Sequence, residues 1–166
     1  MTYERFEDLP VWQKAADLYE QTEELLETET FKATRGFRDQ LDRAALSVSN
    51  NIAEGFERGT NNELLSFLYI ARGSAGEVRS MLCLLERLPT FRELGAEIKR
   101  LKAKSENCSR QLKAWAQSLQ DSEFKGERHV NTKTKRATQA AQEREEFLKE
   151  LADIRTRGAA AGADKN

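Results

Sequence analysis

Apolar residues recur at spacings of three and four along most of the chain, in four successive runs. The first run begins at Leu9-Pro10 and contains Val11, Trp12, Ala15, Tyr19, Thr22 and Leu26. Because an α-helix has about 3.6 residues per turn, these side chains share one face, which predicts an amphipathic helix. Proline is tolerated in the first helical turn, so the helix is expected to begin at Pro10.

A second helix is predicted from about Arg35, following a break in the pattern at residues 31–36 (FKATRG). Its inward positions are Leu41, Ala44, Ala45, Val48, Ile52 and Phe56. Gly59 is predicted to end this helix in the left-handed conformation, which glycine adopts without steric cost.

Two segments with the spacing of a capping box predict where the third and fourth helices begin. Thr60 and Glu63 open the third helix, which Pro89 ends, and its inward positions are Leu64, Phe67, Leu68, Ala71, Ala75, Val78, Leu82 and Leu85. Thr90 and Glu93 open the fourth, whose inward positions are Leu94, Ile98, Leu101, Ser105, Cys108, Leu112, Trp115 and Leu119.

Helices joined by such short connections run antiparallel, so the predicted fold is all-α, an antiparallel up-down four-helix bundle over residues 1–121. Residues 122–166 predict a charged C-terminal extension, helical over about 134–156 or disordered, with a disordered end. Charged residues make up 33% of the 166, with 2 prolines and 9 glycines, and this composition favours helices over an all-β fold.

No apolar run reaches the roughly 18 residues of a membrane span, and the N-terminus (MTYERFEDLP) has no apolar signal core. We therefore expect no membrane association and a cytoplasmic location. In that reducing compartment, Cys83 and Cys108 are expected to be free thiols.

No catalytic or cofactor-binding motif is found, so the protein is predicted to be non-enzymatic, with no cofactor and no metal. His129 lies in a polar segment and is interpreted as a solvated side chain. Residues 73–76 (GSAG) are interpreted as small residues that let a neighbouring helix approach, not as a phosphate loop. Glu54, Glu63 and Glu77 lack the Glu-x-x-His pairs of a di-iron bundle.

Charge is unevenly distributed, although the formal net charge is −1. Residues 4–30 hold nine acidic and two basic side chains, a net of −7, whereas residues 91–113 hold seven basic and three acidic ones, a net of +4. The first helix is therefore acidic and the fourth basic. The two can attract each other as bundle neighbours, or the fourth can face an anionic partner.

Three segments resemble the family of 23S rRNA intervening-sequence proteins, which includes the accessory variability determinant (Avd) of diversity-generating retroelements. They are FEDLPVWQKA at 6–15, QLDRAALSVSNNIAEG at 40–55 and FLYIARGSAGEV at 67–78. The resemblance covers about residues 4–120. It implies a four-helix protomer, a ring-like homopentamer and, for some members, nucleic-acid binding as partner of a reverse transcriptase. The chain departs from the family at Asp42-Arg43, where paired arginines are usual.

The segment 47–60 (SVSNNIAEGFERGT) places a polar stripe beside the apolar face of the second helix. We predict that Ser47, Asn51, Glu54 and Gly55 lie at a helix–helix or subunit seam, as an oligomer interface in which polar groups fix register and partner number. The alternative is that Asn50 and Glu54 are solvated and Asn51 is a satisfied, half-buried amide.

The candidate nucleic-acid-binding residues lie mainly on the fourth helix. Steps of seven, three, eight and three place Arg92, Lys99, Lys102, Arg110 and Lys113 on one face, and the next candidates are Arg38, Arg43, Arg72 and Arg79. The main hypothesis is a nucleic-acid-binding accessory factor of an RNA or reverse-transcriptase complex. The alternative is a structural homo-oligomeric scaffold that binds a protein partner through residues 122–166.

Overall fold

Four α-helices account for most of residues 3–121, which, with Arg144, are the residues that the computed structural model describes. They are α1 (Pro10–Glu27), α2 (Arg35–Glu57), α3 (Asn61–Glu86) and α4 (Gly95–Gln120). Short 3₁₀ helices, Phe6–Asp8 and Pro89–Leu94, precede α1 and α4. The predicted helix over 134–156 and the disordered end lie outside the described residues, apart from Arg144.

Local signals determine where α1, α2 and α3 begin. Pro10 occupies the first position of α1, and the Thr34 side chain accepts a hydrogen bond from the backbone N–H of Phe37 at 3.3 Å. At α3 the Thr60 hydroxyl accepts from the Glu63 N–H at 3.2 Å and donates to the Glu63 carboxylate at 2.8 Å. The first of the two predicted capping boxes is confirmed.

The predicted end of α2 is wrong. Arg58 ends α2 in an extended conformation, and its N–H donates to the carbonyl of Glu54 at 3.1 Å. Gly59 does not have a positive φ. The chain passes directly from Arg58 into Thr60, the N-cap of α3, so no left-handed residue is needed to reverse it.

The predicted start of α4 at Thr90 is also wrong. Thr90 and Glu93 lie in the 3₁₀ helix, and α4 begins at Gly95 without a side-chain cap. A 3₁₀ helix has three residues per turn, so side chains three positions apart point in the same direction. Phe91 and Leu94 have this spacing, and both are buried in the core.

The helices form an up-down bundle in which α1 packs against α2 and α4, and α3 packs against the same two neighbours. Two groups of buried side chains fill the interior. One lies at the end that carries the α1–α2 and α3–α4 connections and includes Leu18, Leu41 and Leu82. The other lies at the opposite end and includes Ile52, Leu68 and Leu112. Burying a side chain of this size stabilises the fold by about 1.5–3 kcal/mol.

Candidate nucleic-acid interface

Four of the candidate cations lie along α4, beside its buried face. Lys99, Arg110 and Lys113 are exposed and Lys102 is half-buried. Lys102 forms an ion pair with Glu86 near the end of α3. The α4 cations therefore lie on the side of this helix that is next to α3.

Two more cations come from α3. Arg72 is half-buried and Arg79 is exposed, and they lie seven residues, about two turns, apart. The pKa of Lys102 is raised, chiefly by the hydrogen bond that its ammonium group donates to Glu86, while the positive charge of Arg79 opposes that rise. Arg79 and Lys102 are thus electrostatic neighbours, and cations of the two helices meet on one surface, the α3–α4 surface.

Tyr69 is a residue of this surface that the sequence interpretation missed. Its side chain is 42% exposed, and its hydroxyl accepts a hydrogen bond from the Gln120 amide of α4 at 2.8 Å. Exposed aromatic rings beside cations are common stacking positions for unpaired bases. The spacing of three residues between Tyr69 and Arg72 was the signal that could have indicated it.

The α3–α4 surface also carries two carboxylates. Glu86 is paired with Lys102, and half-buried Glu106 lies four residues after Lys102 and four before Arg110. Six cations against two carboxylates leave a local net charge of +4, from Arg72, Arg79, Lys99, Lys102, Arg110 and Lys113 against Glu86 and Glu106. Within residues 3–121, Lys102 is the one member of these six that forms an ion pair.

Two further candidate cations, Arg92 and Arg43, belong to neither α3 nor α4. Arg92 belongs to the 3₁₀ helix, so its step of seven to Lys99 is not two turns of α4. Arg43 donates to the Gln40 side chain at 2.8 Å, and Gln40 in turn donates to Glu77. These contacts place Arg43 where α2 meets α3, away from the α3–α4 surface.

The acidic first helix is not the partner of the α4 cations described above. The ion pair between α1 and α4 joins Asp17 to Lys104 at 3.9 Å, and Lys104 lies on the opposite edge of α4 from Lys102. Among residues 3–121, no α1 carboxylate therefore forms an ion pair with the cations of the α3–α4 surface.

Of the four predicted seam residues, Ser47 and Gly55 lie where α2 meets α3 of the same chain. The Asn51 amide donates to the carbonyl and hydroxyl oxygens of Ser47 at 2.7 and 2.9 Å, and the hydroxyls of Ser47 and Ser74 are 2.9 Å apart. Gly55 is buried against α3, whereas exposed Glu54 pairs with Arg58 at 2.7 Å. Within one chain, Asn51 is therefore a half-buried amide whose hydrogen-bond donors are satisfied, as the alternative interpretation states.

A carboxyl pair lies where α1 packs against α2. Partial burial raises the pKa of Glu23, and the neighbouring Asp42 and Glu27 raise it further, whereas Arg38 opposes the rise. Burial, Glu23 and Asp42 also raise the pKa of Tyr19. The Oδ1 atom of Asp42 is buried without a hydrogen-bond partner among the described residues. The Asp42 side chain therefore disfavours ionisation of Glu23.

We expect Asp42→Asn to raise the free energy of unfolding near neutral pH. A carboxyl whose pKa rises on folding contributes stability below its ordinary pKa, 4.5 for Glu23, and loses it as the pH rises through the folded value. Removing the Asp42 charge relieves ionised Glu23, so the gain should be present at about pH 7.5 and absent near pH 4. Urea unfolding at both pH values measures it, with exposed Asp39→Asn as the control. An equal gain at both would contradict the pairing.

The described residues offer little other chemistry. Within residues 3–121, no three His, Cys, Asp or Glu side chains are grouped to hold a metal ion. No helix there has the length and apolar character to cross a membrane. Cys83 and Cys108 are free, and burial raises the pKa of the Cys108 thiol to about 12. His129 lies outside the described residues.

The described residues form an up-down four-helix bundle, so the protein belongs to the class of small all-α proteins. The family model of the 23S rRNA-intervening sequence protein matches residues 7–114, a range that reaches from the segment before α1 well into α4. The chain therefore belongs to the 23S rRNA-intervening sequence protein family, as its three signature segments indicated. No curated protein matches the chain in a direct comparison.

Proposed function

We propose that this protein is a non-enzymatic, oligomeric factor that binds nucleic acid through the α3–α4 surface. The observation that carries the proposal is the meeting of α3 and α4 cations, of which Arg72, Arg79, Lys99, Arg110 and Lys113 form no ion pair within residues 3–121. Phosphate groups are the anions best suited to such an open, extended set of cations. The role would be that of an accessory to an RNA or reverse-transcriptase complex, as in Avd-like members of the family.

Self-association would strengthen this activity. α3 exposes Ile70 and Leu84, which are 51% and 52% accessible, and Leu88, in the connection that follows α3, is 48% accessible. Ile70 and Leu84 lie seven residues on either side of Glu77, which accepts from Gln40, so both are on the α2 side of α3. A homopentamer built through such apolar side chains would repeat the α3–α4 surface as a belt of positive charge.

A second candidate function is a structural homo-oligomeric scaffold that presents residues 122–166 to a protein partner. The exposed apolar side chains of α3 favour it, because they support assembly without nucleic acid. The two functions differ in their response to salt. Binding to phosphates releases counterions and weakens steeply as salt rises, whereas apolar protein contacts do not.

The proposal is tested by titrating the full chain with a labelled structured RNA and with a DNA–RNA hybrid across a salt series. A variant with Arg79, Lys99, Arg110 and Lys113 changed to Gln is expected to bind at least about tenfold more weakly, with a shallower salt slope. A control variant changes four exposed cations outside the surface, Lys14, Lys32, Arg35 and Arg100, to Gln. It should stay within about threefold of the native protein.

Two results would overturn the proposal. If the native protein bound neither nucleic acid even at low salt, the scaffold function would be favoured. If the two variants lost the same affinity, attraction would depend on total charge and not on the α3–α4 surface.

A further inference from the structure

A pocket of about 450 Å³ opens at the connection between α3 and α4. Three cations from consecutive elements line it: Arg87 follows α3, Arg92 belongs to the 3₁₀ helix, and Lys99 lies in the second turn of α4. Sequence spacing groups Arg92 with Lys99 but does not include Arg87. The sharp reversal of the chain at Pro89 brings all three to one pocket.

The backbone around the pocket is held in place. Phe91 and Leu94, on either side of Arg92, are buried with 4% and 7% exposure. The Phe91 ring packs on Phe31, with ring centroids 5.3 Å apart. The N–H of Leu88 donates to the carbonyl of Leu85 at 3.0 Å. The cations therefore project from a fixed frame, and binding needs little backbone ordering.

The charge of the pocket is positive and uncompensated. Within residues 3–121, Arg87, Arg92 and Lys99 form no ion pair. Among the residues that line the pocket, Glu86 is the acidic one, and its carboxylate forms an ion pair with Lys102. Three cations against one carboxylate leave a net charge of +2 on the lining.

We propose that this pocket binds a phosphate monoester, the group found at the end of a nucleic-acid strand or on a free nucleotide. The inference rests on the proposed function and deepens it. A monoester carries about −1.5 to −2 charges at neutral pH, more than an internal diester, and arginine binds its oxygens in bidentate geometry. A concave pocket admits a chain end, whereas internal phosphates fit the open α3–α4 surface. Leu88 and Pro89 supply an apolar wall for the sugar or base.

The test uses three labelled RNA oligonucleotides of one sequence, with a 5′-phosphate, a 3′-phosphate or hydroxyls at both ends. The native protein is expected to bind one of the phosphorylated forms about fivefold or more tightly than the hydroxyl form. In an Arg92→Gln/Lys99→Gln variant this preference should disappear. A matched Arg110→Gln/Lys113→Gln variant should bind all three more weakly and keep the preference.

The results distinguish a failure of the pocket proposal from a failure of the nucleic-acid function. Equal binding of all three oligonucleotides by the native protein would refute the pocket and leave the α3–α4 surface standing. If none bound, the nucleic-acid function would fail, and the pocket would be probed with adenosine 5′-monophosphate and adenosine by NMR. Amide shifts around Arg92 and Lys99 with the monophosphate alone would support the pocket, and their absence would refute it.

Discussion

Replacing Gly55 by alanine is expected to lower the free energy of unfolding by about 1–3 kcal/mol. A Cβ atom built on Gly55 would lie 2.6 Å from the Cβ of Phe67 and 3.2 Å from the Cδ1 of Leu64. The Cβ of Phe67 is attached directly to the backbone, so rotating a side chain cannot relieve the contact. α2 and α3 would have to move apart, and the packing on both sides of them would loosen.

Gly76→Ala is the matched control, because it makes the same chemical change within α3. A Cβ on Gly76 would meet no atom within 4 Å. Alanine is preferred over glycine inside helices, so this variant is expected to gain about 0.5–1 kcal/mol. Urea unfolding of both variants gives the comparison. A gain in both would show that α2 and α3 are not in tight contact at Gly55.

Arg38→Gln is expected to cost about 2–3 kcal/mol of stability. The half-buried Arg38 guanidinium donates to the carbonyl of Phe31 at 3.0 Å and to the carbonyl of Leu26, and it lies over the Phe31 ring at 5.4 Å. The Leu26 carbonyl belongs to the last turn of α1, where helical partners run out. The substitution would leave these partly buried carbonyls unsatisfied. Arg38, a candidate nucleic-acid-binding residue in the sequence, therefore stabilises the α1–α2 connection.

Arg43→Gln serves as the control for Arg38. Arg43 is exposed, and its guanidinium donates to the neighbouring Gln40 side chain on the same helix. Its loss should change the free energy of unfolding by less than about 0.5 kcal/mol. Equal losses in thermal or urea unfolding of the two variants would contradict a structural role specific to Arg38.

The candidate site was only partly predictable from the sequence. Helical spacing groups Lys99, Lys102, Arg110 and Lys113, all of which belong to α4, since positions on one helix follow from its period. Arg92 lies in the 3₁₀ helix, where the period of seven does not apply, and it is the chain reversal at Pro89 that brings it to one pocket with Lys99. Helical spacing missed Tyr69, whose position beside the cations depends on how α3 packs against α4.

The polar stripe of α2 was also only partly predictable. The sequence shows that these polar residues are unusual beside an apolar face, but it leaves two interpretations open for Asn51. The structure places Ser47 next to Ser74 of α3, and the Asn51 amide donates to Ser47. Which neighbour a polar group meets depends on the helix that packs against it, and no pattern along α2 contains that information.

The sequence by itself determined the all-α fold, the residues at which α1, α2 and α3 begin and the Thr60 cap, because these depend on local interactions within about four residues. Only the tertiary structure decided that Lys102 pairs with α3 while Lys104 pairs with α1, and that Gly55 touches Phe67. It likewise brought Arg87, Arg92 and Lys99 to one pocket. Such contacts join residues distant in the chain, and they depend on the order and angles in which the helices pack.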